Sequence, residues 1–315
     1  MKVLVTGGYG LVGCSLQKAV FVTNHNCEFK FLSKQDCDLR CEKEVLDVFS
    51  KYSPDIVVHL ASKVGGVYDN MKNNYDFLMD NIKINTNIVN ACKQCNVKRL
   101  INILSTCIFP DSGVTYPLSS NQLHGGLPHY SNIGYAYSKR VLHVAAKLLC
   151  SSSNIQVVNL IPTNLYGEND NYNMESAHVI PALIHKVYLS KLFSTKLTVK
   201  GDGRALRQYC YVDDLSRIIL KCVTMELSNK ETNIIVSPSE AHQISITELV
   251  KMICNEYDYT GEVEYDGTCE KGQHQKTTND KELLSFLPDF KFTPLSVGLQ
   301  KTIAFVDKNY SIIRK

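Results

Sequence analysis

The sequence predicts an α/β fold built on a doubly wound parallel sheet, with a smaller α/β lobe toward the C-terminus. Two observations carry this. Short β-branched runs at 3–6, 29–32, 56–60, 100–104 and 157–161 alternate with longer helical stretches. Near-continuous apolar strands separated by helices belong to a parallel sheet covered on both faces. The second observation is the turn Gly7-Gly8-Tyr9-Gly10-Leu11-Val12-Gly13, which follows the first run directly. There, glycines at 7, 10 and 13 allow a tight strand-to-helix turn and let backbone N–H groups approach a pyrophosphate at the helix N-terminus.

The remaining elements follow in order. After the second strand, a nicotinamide enzyme that uses NAD usually carries an acid for the ribose hydroxyl. Here stand Ser33 and Lys34, a hydroxyl and a cation that suit a 2′-phosphate, with Arg40 as a possible helper, so NADP(H) is the expected cofactor. Read by itself, Lys34 is also compatible with a solvated surface lysine. Stretches 76–94 and 136–149 are the strongest helix candidates. Cys92 and Cys95 have the spacing of a zinc or redox pair, but they fall within a helical apolar pattern and no second thiol pair completes four ligands; they read as core or helix-surface cysteines. Beyond Thr163 the alternation gives way to loops rich in Asn, Gly and Asp, at 167–173 and 201–203. The stretches 213–225 and 234–236 are candidates to rejoin the main sheet. Ser245 and Glu248 have the spacing of a capping box. Thr293 reads as the cap of a last helix, with Pro294 at its first position. The expected organisation is therefore residues 1–165 as the dinucleotide-binding domain, completed by about 212–240, with 166–211 and 241–315 as the substrate lobe.

Composition narrows the function classes. The 315 residues are 44% apolar and can bury a large core. A net charge of +3, spread without a basic block, favours phosphate-bearing small molecules over nucleic acid. No run is long and apolar enough to span a bilayer, and the chain enters a strand straight after Lys2, so a cytoplasmic protein without a membrane partner is expected. The twelve cysteines then read as reduced thiols.

Tyr135 and Lys139 are four residues apart and share a helix face, where an ammonium beside a phenol is expected to favour phenolate. Such a tyrosine hands a proton to a carbonyl oxygen as hydride arrives, and Ser105, at the end of the fourth strand, is placed to hold the same oxygen. Cys107 stands two residues further on. By residue type alone, Cys107 is a core thiol and His178 a loop histidine.

Longer blocks point to a family. They are His59-Leu60-Ala61-Ser62-Lys63-Val64-Gly65-Gly66, Leu104-Ser105-Thr106-Cys107-Ile108-Phe109-Pro110, Gly134-Tyr135-Ala136-Tyr137-Ser138-Lys139-Arg140, Ile161-Pro162-Thr163-Asn164-Leu165-Tyr166-Gly167 and His178-Val179-Ile180-Pro181 running on to Lys186. With them the chain resembles, nearly end to end, the extended short-chain dehydrogenases/reductases, and within these the bifunctional epimerase-reductases of nucleotide sugars.

The resemblance implies a Rossmann-type domain and GDP-4-keto-6-deoxy-D-mannose as substrate. It further implies epimerisation at C3 and C5, then reduction of the C4 ketone by NADPH to GDP-L-fucose. It nominates Ser105, Tyr135 and Lys139 for the reduction, and Cys107 as base with His178 as acid for the epimerisations. Both can titrate near neutral pH. Gly7, Gly10, Leu11, Val12 and Gly13 would hold the cofactor's pyrophosphate, and Ser33, Lys34, Asp38 and Leu39 its adenosine end. Leu60, Ala61, Pro162, Asn164 and Leu165, together with Tyr135, Lys139 and His178, would complete its site. Ser105, Asn164 and Lys186 would line the substrate site. Arg207 would pair with the GDP pyrophosphate through its planar fork, although a structural arginine fits the same position; Lys276 is a weaker candidate for the nucleotide. A homodimer through 76–94 and 136–149 is implied by analogy.

Three positions depart from the pattern. Lys200 stands where Trp is common, in a chain without tryptophan; Ser62 replaces the usual Ala; Lys271 precedes Gly272 where an acid is common. Neither Ser62 nor Lys271 is expected to touch the chemistry. Two other readings are a different nucleotide-sugar enzyme, such as a dehydratase, 4-epimerase or 4-reductase, and a silent dinucleotide-binding regulator. Dehydratases typically carry Asp-Glu where this chain has Thr106-Cys107, and a silent regulator is expected to have lost the Tyr/Lys pair, which is intact here.

Overall fold

The computed structural model describes residues 1–269 and 272–315, so Lys271 lies outside the described residues. The first half runs β1 (Lys2–Thr6), α1 (Leu11–Val22), β2 (Glu28–Phe31), α2 (Glu42–Tyr52), β3 (Ile56–His59), α3 (Val67–Gln94), β4 (Arg99–Ile103), α4 (Ile133–Ser152) and β5 (Gln156–Pro162). The second half runs β6 (Asn164–Tyr166), α5 (Val179–Phe193), β7 (Leu197–Lys200), β8 (Leu206–Arg207), β9 (Tyr209–Tyr211), α6 (Val212–Thr224) and β10 (Glu231–Val236). It ends with β11 (Ile244–Ser245), α7 (Ile246–Glu256), β12 (Val263–Asp266), α8 (Lys281–Phe286) and α9 (Leu295–Asn309).

The main sheet is six-stranded and parallel, in the order β10-β5-β4-β3-β1-β2. β10 joins it beside β5, so the chain returns to the sheet after leaving it at β6. Helices cover both faces. Leu16, Leu215 and Ile218 pack with Val3, Val5 and Val58 on one side, and Phe49, Ile88 and Leu142 pack with Leu4, Val57 and Leu100 on the other. A third apolar cluster, with Tyr166, Tyr172, Ile184, Leu249 and Leu299, lies under α5, α7 and α9.

A polar row crosses this apolar sheet in register. Thr6 pairs with His59, His59 with Asn102, Asn102 with Asn159, and Asn159 with Asn233. All but Asn233 are fully buried. Thr6 Oγ1 lies 2.8 Å from His59 Nδ1, and His59 Nε2 lies 3.0 Å from Asn85 Oδ1 on α3. Because the Asn85 oxygen can only accept, the His59 proton sits on Nε2, and Nδ1 accepts from Thr6. Asn85 in turn donates to the Ser138 carbonyl on α4 at 3.1 Å. Asn102 donates to Asn159 at 3.0 Å, and Asn159 to Asn233 at 2.9 Å.

Two sequence expectations shift. Helix α3 starts nine residues earlier than predicted, at Val67, and bends at Asn73, where φ −124° and ψ 28° leave the helical region. Pro294 takes the cap position of α9 rather than its first turn. Thr293 is drawn away from capping because its N–H and hydroxyl both donate to the buried Asp214 carboxylate, each at 2.8 Å. The capping box is present, with Ser245 and Glu248 bonding each other's backbone N–H at 2.7 and 3.1 Å.

Asn159 both accepts from Asn102 and donates to Asn233, so an apolar isostere orphans the buried Asn102 amide, while Asn233 Oδ1 keeps His143 Nε2 at 3.2 Å. Asn159→Leu is expected to lower stability by about 1–3 kcal/mol, the scale of one buried group left unpaired. Urea denaturation followed by circular dichroism reads this loss.

Candidate functional site

The carboxyl ends of β1, β3, β4 and β5 open into one cleft of roughly 970 Å³. At its floor is the glycine turn. Gly7 has φ +68°, and a Cβ there would lie 2.8 Å from the Ala61 nitrogen; at Gly13 it would lie 2.3 Å from the Gly8 carbonyl oxygen. Only glycine fits both places. Helix α1 starts at Leu11 with Gly10 as cap, no side-chain cap bond and no acid in its first turn. The N–H groups of Leu11, Val12 and Gly13 therefore face the cleft at the positive end of the helix, ready for an anion. A pyrophosphate fits this cradle.

At the rim beside β2 stand Ser33, Lys34, Asp38, Leu39 and Arg40. Arg40 forks onto Asp38 at 3.0 and 2.8 Å and reaches Asp80 at 3.7 Å. That bond holds the exposed Asp38 carboxyl down to about 2. Ser33 does not stand alone either: its N–H and hydroxyl donate to Asp36 at 2.7 and 2.6 Å. Leu60, Ala61, Pro162, Asn164 and Leu165 line the same cleft.

Deeper in, one turn of 3₁₀ helix after β4 presents Ser105 and Cys107 together. Ser105 caps it, with its Oγ accepting the Cys107 N–H at 3.2 Å. The Tyr135 phenol and the Cys107 thiol both lie beside this hydroxyl, which lowers the pKa of each. Lys139, one turn along α4 from Tyr135, is buried and donates from Nζ to the Ile103 carbonyl at 2.7 Å.

These neighbours set the protonation states. Burial pushes the Tyr135 phenol well above its usual range, and the charge of Cys107 adds to the rise; hydrogen bonds from Ser105 and Ser62 only partly offset it. The expectation of a phenolate favoured by Lys139 is thus corrected. The ammonium is spent on a backbone carbonyl and is itself pushed down by burial to about 7, so desolvation outweighs the pairing. Ser62, expected to be a bystander, touches the phenol and also donates to Asn81 at 2.9 Å. Cys107 goes the other way. Burial raises its pKa, but the Lys276 ammonium, the Ser105 hydroxyl and the Arg207 guanidinium together bring it below that of an ordinary thiol.

His178 caps α5 and faces the cleft. It is set there by the loop before it: the Gly66 N–H donates to the Ser176 carbonyl at 2.8 Å. Close by, Asp170 is 4% exposed, its Oδ2 has no hydrogen-bond partner, and burial raises its pKa while His178 offsets part of the rise. Nothing in the spacing of Asp170 announced this; its burial depends on the loop folding back against Tyr172 and Arg314.

Of the expected substrate residues, Asn164 lines the cleft and donates to the Gln208 carbonyl at 2.9 Å. Arg207 also lines it, with its guanidinium on the carbonyls of Leu206, Gln273 and His274. Lys276 lines the cleft with its Nζ 3.4 Å from Cys107 Sγ. Lys186 is outside this lining and donates to the Thr198 carbonyl at 3.0 Å. Lys200 sits 4.2 Å from the centre of the Tyr68 ring. Cys92 is buried within α3 and its thiol is pushed far up by burial; among the described residues no cluster of His, Cys, Asp and Glu could hold a metal ion.

An acid held neutral beside a thiol whose pKa is lowered, above an anion-binding turn, is equipment for moving protons next to a carbonyl while a dinucleotide is bound. Comparison with known proteins agrees. A GDP-L-fucose synthase from Dictyostelium discoideum is 38% identical over 314 residues, 99% of this chain and 97% of that protein. A probable GDP-L-fucose synthase from Drosophila melanogaster is 35% identical, covering 100% of this chain and 99% of that one. Among solved structures, a GDP-L-fucose synthetase from Naegleria fowleri bound to NADP superposes with a TM-score of 0.92 at 35% identity, covering 100% of this chain and 95% of that chain. Residues 3–236 match the NAD dependent epimerase/dehydratase family, and the chain belongs to it.

Proposed function

We propose that this protein is an NADPH-dependent epimerase-reductase, a GDP-L-fucose synthase that inverts C3 and C5 of GDP-4-keto-6-deoxy-D-mannose and reduces its C4 ketone. The observation that carries this reading is the Ser105 hydroxyl flanked by Tyr135 and Cys107, which brings a reductase's proton donor and an epimerase's base into one cleft.

Protons on the carbons flanking a ketone are acidified because the resulting charge spreads onto the carbonyl oxygen. Cys107, its pKa lowered by Lys276, Ser105 and Arg207, takes such a proton as thiolate. Tyr135 and Ser105 donate hydrogen bonds to the oxygen where charge develops. His178 returns a proton from the opposite face, which inverts the carbon. The raised phenol then suits the second stage, because Tyr135 arrives protonated and can give its proton to the C4 oxygen. Lys139, near neutrality at about 7, is placed to follow that loss.

NADPH, when bound, supplies the hydride for C4. Leu11, Val12 and Gly13 would hold its pyrophosphate by their free N–H groups, and Ser33, Lys34 and Arg40 would receive the 2′-phosphate once Arg40 turns from Asp38. Arg207 and Asn164 would hold the GDP end and the sugar. Lys186, turned to Thr198, would have to swing to reach it.

Residues 1–165 with about 212–240 would form the NADP(H) domain, and 166–211 with 241–315 the substrate lobe; β10 beside β5 supports the first of these. Among the described residues no helix is long and apolar enough to cross a membrane; we place the enzyme in the cytoplasm. We further propose a homodimer through α3 and α4, because Val141, Val144 and Leu148 form an exposed apolar stripe along α4.

Incubation with fresh GDP-4-keto-6-deoxy-D-mannose and NADPH in heavy water is expected to give GDP-L-fucose carrying deuterium at C3 and C5. NADPH oxidation without that deuterium would instead indicate a plain 4-reductase, and no turnover a different nucleotide-sugar substrate. In the same assay Cys107→Ser should lose deuterium incorporation by about 10²-fold or more, the scale of removing a general base, while NADPH binding by fluorescence is unchanged. Val144→Asp is expected to convert the dimer to monomer in sedimentation; an unchanged dimer would place the interface elsewhere.

A further inference from the structure

We propose that Lys276 is a positioning residue for Cys107, and that the segment 272–278 is the strap that fastens its ammonium against the sulfur. The proposal deepens the reading of Cys107 as the base and rests on it.

The strap is tied down along its length by bonds that make no use of Lys276 itself. The Leu206 N–H donates to the His274 carbonyl at 2.9 Å, and the Leu118 N–H to the Thr277 carbonyl at 2.8 Å. Tyr116 Oη donates to the Gln275 carbonyl at 2.9 Å. The Thr278 N–H donates to the buried Gln208 side chain at 2.8 Å, and Gln208 returns a bond to the Thr278 carbonyl at 3.0 Å. Arg207 closes the near end through the Gln273 and His274 carbonyls. With both flanks fixed, the Lys276 side chain spans to Cys107 at 3.4 Å.

The contact fills a chemical need. A half-buried thiol deep in a cleft loses much of the water that would stabilise its anion, so burial alone favours the protonated form, which cannot take a proton from carbon. The groups facing the sulfur are Ser105 and Tyr135, both neutral in the resting site, and the two cations Lys276 and Arg207. His129 also lines the cleft, and burial lowers its pKa, so it adds no charge at neutral pH. Arg207 is already engaged by three carbonyls, which leaves Lys276 as the cation in direct contact. When Cys107 takes the carbon-bound proton, the C–H electron pair passes to the enolate and the sulfur becomes a thiol. The Lys276 charge then no longer has an anion beside it, and this favours return of the proton to solvent before the second inversion.

The test reads the sulfur directly. Iodoacetamide alkylation of Cys107, with release of iodide, is followed by peptide mass spectrometry against pH in the full-length protein, for wild type, Lys276→Met and Lys276→Arg. Wild type should react with an inflection below that of an ordinary thiol. Lys276→Met should move the inflection up by about one unit and slow alkylation at neutral pH about tenfold, with arginine restoring most of it. Deuterium incorporation should fall in parallel and recover at higher pH. An unchanged alkylation profile in Lys276→Met, with a rise in substrate KM alone, would overturn the proposal and return Lys276 to nucleotide binding. NADPH fluorescence titration of each variant separates this outcome from misfolding. Because alkylation needs no substrate, the pair can fail while GDP-L-fucose is still made, or hold while it is not.

Discussion

The site depends on the register of the buried row Thr6, His59, Asn102, Asn159 and Asn233. In a parallel sheet covered on both faces, apolar side chains by themselves specify register weakly, because every residue is buried whichever way a strand slides. Polar groups that must meet their partners remove that freedom. A slip of one residue would point His59 away from Asn85 and leave it uncompensated in the core, where burial already pushes it down to about 3. With the register fixed, Gly7, Ala61, Ser105 and Pro162 all leave the sheet at one edge, and the cleft follows from that alignment. The same row reaches through Asn85 to the Ser138 carbonyl, so the helix carrying Tyr135 and Lys139 is set against the strands that carry Ser105 and Cys107.

Burial then divides the functional groups by the company each keeps. Tyr135, Lys139 and Cys107 all lose solvent, and solvent loss alone would make all three neutral. Tyr135 and Lys139 shift in that direction, the lysine by burial to about 7 and the phenol by burial with the neighbouring Cys107 adding to the rise. Cys107 escapes it because cations come from a different part of the chain. A thiolate at Cys107 raises the phenol beside it further, so in the proposed mechanism the base of one stage would help to keep the acid of the other protonated. One hydroxyl, that of Ser105, is enough to place both.

The sequence made the sheet readable because strands buried on both faces are unbroken apolar runs, and 3–6, 56–60, 100–104 and 157–161 have that form. Helix 76–94 was also legible, but its first turns before Asn73 were not, since the bend interrupts the pattern and Gly65 and Gly66 mask the start. The catalytic candidates were legible as motifs, with the block around Cys107 the most telling. Their protonation was not, since the sign of a shift depends on which groups are near in space. Tyr135 and Lys139 looked like an ion pair at four residues' spacing, yet the carbonyl of Ile103 intervenes. Ser62, His59 and Asp170 carried no signal, because their partners Tyr135, Asn85 and His178 lie on other elements. The resemblance made Lys276 a weaker candidate for the nucleotide; its place against the sulfur depends on the strap's bonds to Leu118, Leu206 and Gln208, which no motif shows.

The same reasoning bears on the missing tryptophan. Lys200 takes its place at the end of β7, where β12 pairs alongside with Asp266 opposite Lys200. Its ammonium lies 4.2 Å from the centre of Tyr68, at the start of α3. A cation over a ring helps to hold that ring in place, with attraction of about 0.5–1 kcal/mol at an exposed site. Tyr68 follows directly on the Gly65-Gly66 turn that packs against the loop before His178. The ring of Tyr68 and the loop that carries His178 are therefore tied to the same stretch of chain. Where a tryptophan would place an indole at the end of β7, this chain places a positive charge against a ring on α3.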